Sequence, residues 1–339
     1  MQVPTSGARL LLGVAASYIT CSVLRRLRHR KVDISFLPAV ANKIIFGSGP
    51  STLPFQIVDV FTVGTHRGTG NQLLVIHDYD EMLTTQAMQS IASEIGFAES
   101  AFVLSGNAVR IFTPDCEVPQ AGHPIIGLAA VIGGHTPNSQ NLTLMTKKGS
   151  VDVTFCREVG NWFMSQDPPE WLGYASSLSV QCLLRVGAEH LVGDRFPIGS
   201  TCGLPYVLVP VDSEAALDEL QIDVGGSPND FQSQCALPNG LALYFYFRRT
   251  ASASEQPTCR TRMFCHESGM WVEDAATGSA AGPLACHLAP LTNAIFIQGS
   301  SRRAIICVRS WLREGARVEV GGSVAEIARG SWAVGAFMA

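Results

Sequence analysis

The sequence predicts an α+β protein with two similar domains, each of which wraps a curved, mostly antiparallel sheet around a central apolar helix. Many short segments rich in β-branched and aromatic residues follow one another from residue 55 onward, and few long helices interrupt them. Two short helical segments, residues 123–132 and 279–288, are apolar on every side, so we expect both to be buried. Their starts lie 156 residues apart (279 − 123), which indicates two copies of one plan.

The predicted strands form two series, as expected of an α+β fold without alternating βαβ units. The first series comprises residues 55–63, 72–77, 101–105, 109–113, 142–146 and 151–155. The second comprises residues 181–186, 205–210, 241–248, 261–265, 294–298, 304–308, 317–320 and 324–328. An amphipathic helix is predicted at 85–97, with Met88 and Ile91 on its apolar face and Thr84 or Thr85 as its N-cap. We therefore expect a first domain at 55–170 and a second at 171–339, whose last strand could return to the first domain.

The composition excludes several classes of protein. The 339 residues correspond to about two domains. Hydrophobic residues make up 47% of the chain and charged residues 15%, against roughly 25% charged in a typical soluble domain. A disordered chain and a basic nucleic-acid-binding protein are therefore excluded. The ten cysteines show no CxxC pair, so we expect small buried thiols in a reducing, cytoplasmic compartment, and neither a disulfide framework nor a metal site.

The first 54 residues differ from the rest of the chain. Residues 1–53 hold seven Lys or Arg and one Asp, and residues 10–24 form an apolar run directly followed by basic residues. This run is shorter than the roughly 20 residues of a spanning helix. The alternatives are a basic extension outside the folded body, a membrane contact through residues 10–24 with the body facing the cytosol, and a cleaved targeting segment.

Three ionisable residues lie near the ends of the two apolar helices. The N-terminus of a buried helix offers free N–H groups and partial positive charge, so two such termini in one cleft predict a site for a carboxylate. His123 opens the first helix, Asp274 precedes the second, and Glu99 lies between apolar neighbours, where desolvation would raise its pKa and suit it to proton transfer. Taken singly, Glu99 could be a solvated loop residue, His123 a structural cap and Asp274 a helix N-cap. No Gly-rich phosphate loop, HExxH or GxSxG motif is present.

An ordered series of motifs resembles the PhzF family of phenazine-biosynthesis-like proteins, which share the diaminopimelate epimerase fold. The series covers the chain from about residue 55 to its end, and its order is more specific than any single piece. The pieces are Val58-Asp59-Val60-Phe61-Thr62, Gly70-Asn71, Met88-Gln89-Ser90-Ile91-Ala92, Glu99-Ser100-Ala101-Phe102-Val103, Arg110-Ile111-Phe112-Thr113-Pro114, Gly122-His123-Pro124, Arg262-Met263-Phe264, residues 273–280, Gln298-Gly299 and Val320-Gly321-Gly322.

The resemblance implies a cofactor-independent isomerase that moves a proton between carbons of a small carboxylate-bearing metabolite, in secondary metabolism. Glu99 matches the glutamate that shuttles the proton in the characterised phenazine enzyme, while His123 and Asp274 would hold and polarise the substrate. The implied substrate-binding residues are Asn71, Gly122, Thr277, Gly278 and Ser279. No metal or other cofactor is implied, and the implied partners are the substrate and a second copy of the chain in a homodimer.

Several positions depart from the family pattern. Ala275, Ala98, Gln72 and Ile125 replace the usual proline, serine, proline and threonine, which favours a metabolite other than the phenazine precursor. One alternative is a catalytically silent binding protein. Another is a strict epimerase or racemase, although the epimerase relatives use paired cysteines where this chain places Glu99 and Ser279.

Overall fold

The structure is a computed structural model. It describes residues 52–134, 140–200, 205–223, 242–249, 256–267, 270–288, 293–311 and 317–334. All of them belong to one compact unit, Ser51–Ala339. The apolar run at residues 10–24, and the predicted extension up to residue 51, lie outside the described residues.

The first sheet is built from the N-terminal strands. These are β1 (Thr52–Thr62), β2 (Asn71–His77), β3 (Glu99–Val103), β4 (Val109–Phe112) and β5 (Glu117–Val118). The strands pair in the order β5–β4–β3–β2–β1, all antiparallel except β2 with β3. β1 begins at Thr52, three residues before the predicted start of the body.

The second sheet contains most of the remaining strands. They are β6 (Asn141–Thr146), β7 (Gly149–Cys156), β8 (Asn161–Gln166), β9 (Glu170–Ser176), β11 (Arg195–Ser200), β12 (Tyr206–Pro210), β14 (Ala242–Arg248), β15 (Thr258–Glu267), β16 (Met270–Asp274), β17 (Asn293–Gln298), β18 (Ala304–Trp311) and β19 (Arg317–Ala333). Their order is β6–β7–β8–β19–β18–β17–β15–β14–β12–β11–β9, with β16 as an extra neighbour of β15. Only β15–β17 and β12–β14 are parallel, so the predicted α+β class with mostly antiparallel sheets is confirmed.

Strand β19 belongs to both sheets. Its first part pairs with β18 and β8, and its second part, from Ser323 to Ala333, pairs with β1. The sequence predicted two separate strands here, because Gly321 and Gly322 interrupt the pattern. The strand is continuous since these glycines allow close approach: a Cβ on Gly321 would lie 2.3 Å from the backbone oxygen of Trp162. The division at residue 170 stays a prediction.

The two predicted apolar helices form, and both are buried. They are α2 (Gly122–Gly133) and α5 (Gly278–His287). Both pack in one hydrophobic cluster that also contains strand residues of both sheets. Packing against the first sheet is close, because a Cβ on Gly127 would lie 2.6 Å from Cδ2 of Leu73. An all-apolar surface is buried in this way because it has no polar side to turn toward water.

The opposite faces of the two sheets are covered by shorter helices. On the first sheet, α1 (Thr85–Ile95) buries Met88 and Ile91 against strand residues such as Phe102. Thr84 caps α1 by accepting from Ala87 N. The helix ends two residues before the predicted end, because Gly96 adopts a left-handed conformation (φ 66°). The second sheet is covered by α3 (Ser177–Gln181) and α4 (Glu214–Glu219).

Two expectations about local structure need correction. The predicted strand at 181–186 is shorter in the structure: Gln181 ends α3, which Ser176 caps, and the strand β10 comprises Leu184–Val186, which pairs with β13 (Gln221–Ile222). The short 3₁₀ turns Ser105–Asn107 and Ala188–His190 complete the described elements. No disulfide joins the described cysteines. The expectation of buried thiols is wrong for most of them, because Cys259 is the one buried cysteine among the described residues, and Cys116 and Cys182, in a turn and at a helix end, are exposed.

Candidate active site

Glu99 is held at the start of an inner strand. It opens β3, where it lies opposite Leu73 of β2 in parallel register. The side chain of Glu99 is only 18% exposed. Glu99 is therefore a partly buried strand residue, and the alternative of a solvated loop residue is wrong.

His123 lies directly against Glu99. Its Nδ1 atom is 3.2 Å from Oε2 of Glu99, and the imidazole is 4% exposed. Burial lowers the pKa of His123 to about 3, because the charged form would lose its hydration. The imidazole is therefore neutral near pH 7, and Nδ1 can donate to the Glu99 carboxylate or accept a proton from it. Its Nε2 is buried and has no hydrogen-bond partner among the described residues.

Asp274 joins the same cluster from the second sheet. Asn71 Nδ2 donates to Oδ1 of Asp274 (2.7 Å), and it also lies 3.4 Å from Nδ1 of His123. The hydroxyl of Thr277 donates to Oδ2 of Asp274. Thr277 and not Asp274 is the N-cap residue of α5, and Ala121 is the N-cap of α2, so neither Asp274 nor His123 is a helix cap. The structure thus brings together Glu99, His123, Asp274, Asn71 and Thr277.

The N-termini of the two central helices meet at this cluster. A Cβ on Gly122 would lie 3.1 Å from the backbone nitrogen of Ser279, so any larger residue would press the two ends apart. Gln166 donates to the backbone oxygen of Gly278 (2.9 Å) and ties the start of α5 to β8. Two positive helix ends side by side can bind a carboxylate between them. The predicted substrate-binding residues Gly122, Gly278 and Ser279 therefore share one place in the fold.

Three buried side chains outside the set of predicted site residues support this cluster. Gln298 donates to the backbone oxygen of Asp274 (3.0 Å) and to the hydroxyl of Thr277 (2.9 Å), while its Oε1 accepts from Thr277 N and from Tyr244. The hydroxyl of Tyr206 lies 2.6 Å from that of Ser279. Gln298 ends β17 directly after four apolar residues, 294–297, which is a sequence signal for a buried polar role. Tyr206 and Tyr244 gave no comparable signal, because a tyrosine in a strand is usually a packing residue.

A cavity of about 400 Å³ opens beside the start of α2. Its lining includes Gly122, Met164 and Gln166, with Lys148 and Arg317 among the charged residues. Glu99 and His123 are not part of this lining. The cavity thus borders Gly122 at the start of α2, and residues of β7 and β8 form part of its wall.

The described part of the chain gives no support to a metal centre or a membrane helix. No group of three or more His, Cys, Asp or Glu side chains in it is placed to hold a metal ion. None of its helices has the length and apolar character needed to cross a membrane.

Comparisons with known proteins identify the family of the chain. A family model described as phenazine biosynthesis-like protein, PhzC-PhzF, matches residues 58–326. The chain belongs to this PhzC-PhzF family. Among its relatives, the trans-2,3-dihydro-3-hydroxyanthranilate isomerase of Pseudomonas aeruginosa is 38% identical over 244 residues, which cover 69% of this chain and 79% of the relative. The enzyme of the same name from Pseudomonas chlororaphis is 36% identical over the same coverage.

Solved structures agree with this PhzC-PhzF assignment. A PhzF-family protein of Bacillus anthracis has a TM-score of 0.69 and 22% identity, covering 83% of this chain and 99% of that one. A predicted epimerase from Pseudomonas aeruginosa has a TM-score of 0.64 and 29% identity, covering 83% and 98%. The fold is therefore that of PhzF proteins and epimerases, as predicted, and the chain is an isomerase. The roles of the individual site residues stay predictions.

Proposed function

We propose that this isomerase moves a proton between two carbons of a small carboxylate-bearing metabolite, with Glu99 as the acid and base and without a cofactor. The observation that carries the proposal is the contact of 3.2 Å between the Glu99 carboxylate and the buried imidazole of His123, at the start of a central helix. A carboxylate of this kind can take a proton from one carbon and return it to another, so no electrons enter or leave the substrate.

His123 and Asp274 hold and polarise the substrate in this mechanism. His123 is neutral at pH 7, so it can donate a hydrogen bond to the Glu99 carboxylate. It does not retain the transferred proton, because the imidazolium ion is disfavoured at this buried position. Asp274 is fixed by Asn71 and Thr277, which keeps its carboxylate in one orientation. A catalytic group held in one geometry needs little reorganisation during the reaction.

The carboxylate of the substrate binds between the two helix ends. The N–H groups at the starts of α2 and α5, with the hydroxyl of Ser279, supply donors for an anion, while the Thr277 hydroxyl donates to Asp274. The named relatives act on trans-2,3-dihydro-3-hydroxyanthranilate, which is the first compound to test. The replaced positions Gln72, Ala98, Ile125 and Ala275 favour a related secondary metabolite over this compound itself.

The test is the substitution Glu99→Gln, which keeps the shape of the side chain and removes its proton-transfer capacity. General acid–base catalysis contributes about 10²–10⁴-fold, so kcat should fall by at least about 100-fold. Turnover is measured by NMR of substrate and product in D₂O, which also reports deuterium at the receiving carbon. Normal folding is checked by thermal unfolding of the same sample.

The matched control is Glu94→Gln, the same change on an exposed glutamate of α1. Its turnover should equal that of the unmodified protein. Full activity of a folded Glu99→Gln variant would overturn the assigned role, whatever the substrate.

A further inference from the structure

A guanidinium group joins two loops beside the candidate site. Arg302 donates from Nη2 to Oδ1 of Asp59 (2.7 Å) and from Nε to the backbone oxygen of Gly70 (3.1 Å). A longer contact of 3.4 Å links Nη2 to the backbone oxygen of Thr69. Arg302 thus binds a segment that is 243 residues away from it in sequence.

Asp59 is the buried partner of this arginine. The residue is 1% exposed, and its second oxygen accepts from the backbone nitrogen of Gly68 (2.7 Å). The backbone nitrogen of Gly70 in turn donates to the backbone oxygen of Arg303 (2.9 Å). We call Arg302, Asp59 and the backbone of residues 68–70 the clasp.

The clasp fixes the start of β2. Gly70 has φ 72°, and a Cβ there would lie 2.2 Å from the backbone oxygen of Val60, so only glycine fits. The next residue is Asn71, whose amide reaches Asp274 (2.7 Å), the backbone oxygen of Ala276 (3.3 Å) and His123 (3.4 Å). The position of this amide is therefore determined by a backbone that the clasp holds on both sides.

We infer that Arg302 is a positioning residue for the reaction and that it acts through Asn71. The inference rests on the proposed function, because it supposes that Asp274 and His123 must be oriented for turnover. Arg302 itself is 31% exposed, and a partly exposed ion pair contributes little to stability on its own. The two bonds to Asp59 and Gly70 require the fork of a guanidinium group, which a lysine cannot reproduce.

The test is a double-mutant cycle on kcat/KM with Arg302→Gln and Asn71→Ala. Alone, Arg302→Gln should lower kcat/KM by about 10- to 100-fold, since small displacements in a site have effects of that size. In the Asn71→Ala background the same substitution should change kcat/KM by less than about threefold, because the group that it positions is already gone. Arg302→Lys should recover only part of the loss.

The control is Arg303→Gln, because the neighbouring Arg303 side chain is exposed and only its backbone oxygen contacts the clasp, at the nitrogen of Gly70. It should leave kcat/KM unchanged. Equal losses for Arg302→Gln in both backgrounds would overturn the inference, and so would a loss for Arg303→Gln of the same size.

Two further measurements keep the outcome decisive. Removing Arg302 leaves the Asp59 charge buried, so if the single variant does not fold, the cycle is run with Arg302→Gln and Asp59→Asn together. The ¹⁵N-labelled side-chain amide of Asn71 is also followed by NMR, where Arg302→Gln should shift the resonance and Arg303→Gln should not. An unshifted resonance would overturn the inference that Arg302 positions Asn71. If the resonance shifts but the Glu99→Gln variant is fully active, the proposed function is wrong, whereas the effect of Arg302 on the position of Asn71 is supported.

Discussion

At the scale of the residue, the burial of His123 beside Glu99 carries a cost to stability. The imidazole is 96% buried next to a carboxylate, yet burial lowers its pKa to about 3. Its environment therefore favours the neutral form over the ion pair that a histidine beside a glutamate usually makes. A neutral imidazole is the form that can both accept and donate a proton, which suits the reaction proposed for Glu99.

The same shift predicts how stability depends on pH. Below pH 6.5 the unfolded chain binds a proton at residue 123, while the folded protein does not until about pH 3, so acid favours unfolding in this window. The free energy of unfolding should fall by up to about 1.4 kcal/mol per pH unit from this group, or by about 1.6 kcal/mol between pH 6.5 and 5. Urea unfolding at pH 7, 6 and 5 measures it.

The control for the pH effect is His123→Gln, which has no titrating group at this position. His77 and His287, whose pKa values burial also lowers, are present in both proteins and cancel in the comparison. The variant should lose less stability than the unmodified protein as the pH falls. Parallel curves for the two proteins would show that His123 has the same pKa in the folded protein as in the unfolded chain.

At the scale of the element, the sequence predicted what depends on local pattern. The apolar helices α2 and α5 and the capped helix α1 were predictable because their periodicity, glycines and cap residues are local signals. The pairing of β19 with both sheets was not predictable, because no local signal in residues 317–333 identifies the distant strands β1 and β8 with which it pairs. In the site, Glu99, His123 and Asp274 came from motifs, and Gln298 lies in a motif as well. Tyr206 instead acts through a contact with Ser279 that only the folded chain brings about.

The meeting of the two helix ends leads to a prediction for Gly122→Ala. The added Cβ would lie 3.1 Å from Ser279 N and 3.4 Å from Cε of Met164, so the ends of α2 and α5 must separate by a few tenths of an ångström. Donors at the proposed anion site would then diverge, and KM should rise by about tenfold, equivalent to about 1.4 kcal/mol of binding. Steady-state kinetics on the folded variant measures this effect.

Gly127→Ala is the matched control in the same helix. Its Cβ would lie 2.6 Å from Cδ2 of Leu73 and 2.9 Å from Cγ2 of Val60, so it should lower the melting temperature by overpacking the core. It is five residues from the helix end, so KM should not change. The opposite pattern, with KM raised by Gly127→Ala and unchanged by Gly122→Ala, would remove the anion site from the start of α2.

At the scale of the whole molecule, the two sheets share more than a linker. β19 supplies an inner strand to the second sheet and the partner of β1 in the first. One hydrophobic cluster includes Val60 and Ile126 from the first part of the chain together with Tyr244 and Leu284 from the second. The Asn71–Asp274 contact and the clasp add polar links between the same parts. Neither sheet could lose its structure without exposing apolar surface of the other.

This shared core predicts that both sheets unfold in one cooperative transition. Hydrogen exchange read by mass spectrometry along a urea series can follow peptides from β2–β3 and from β14–β15 separately. Their midpoints should coincide within the roughly 10% uncertainty of such measurements, because exposing either sheet also disrupts β19 and the common cluster. Midpoints that separate clearly, with the β2–β3 peptides exchanging first, would mean that the sheets are independent folding units and that β19 and the shared cluster contribute little. The site would then lie between two bodies free to move relative to each other, and the position of Asp274 relative to His123 would depend on the Asn71–Asp274 contact and on the clasp.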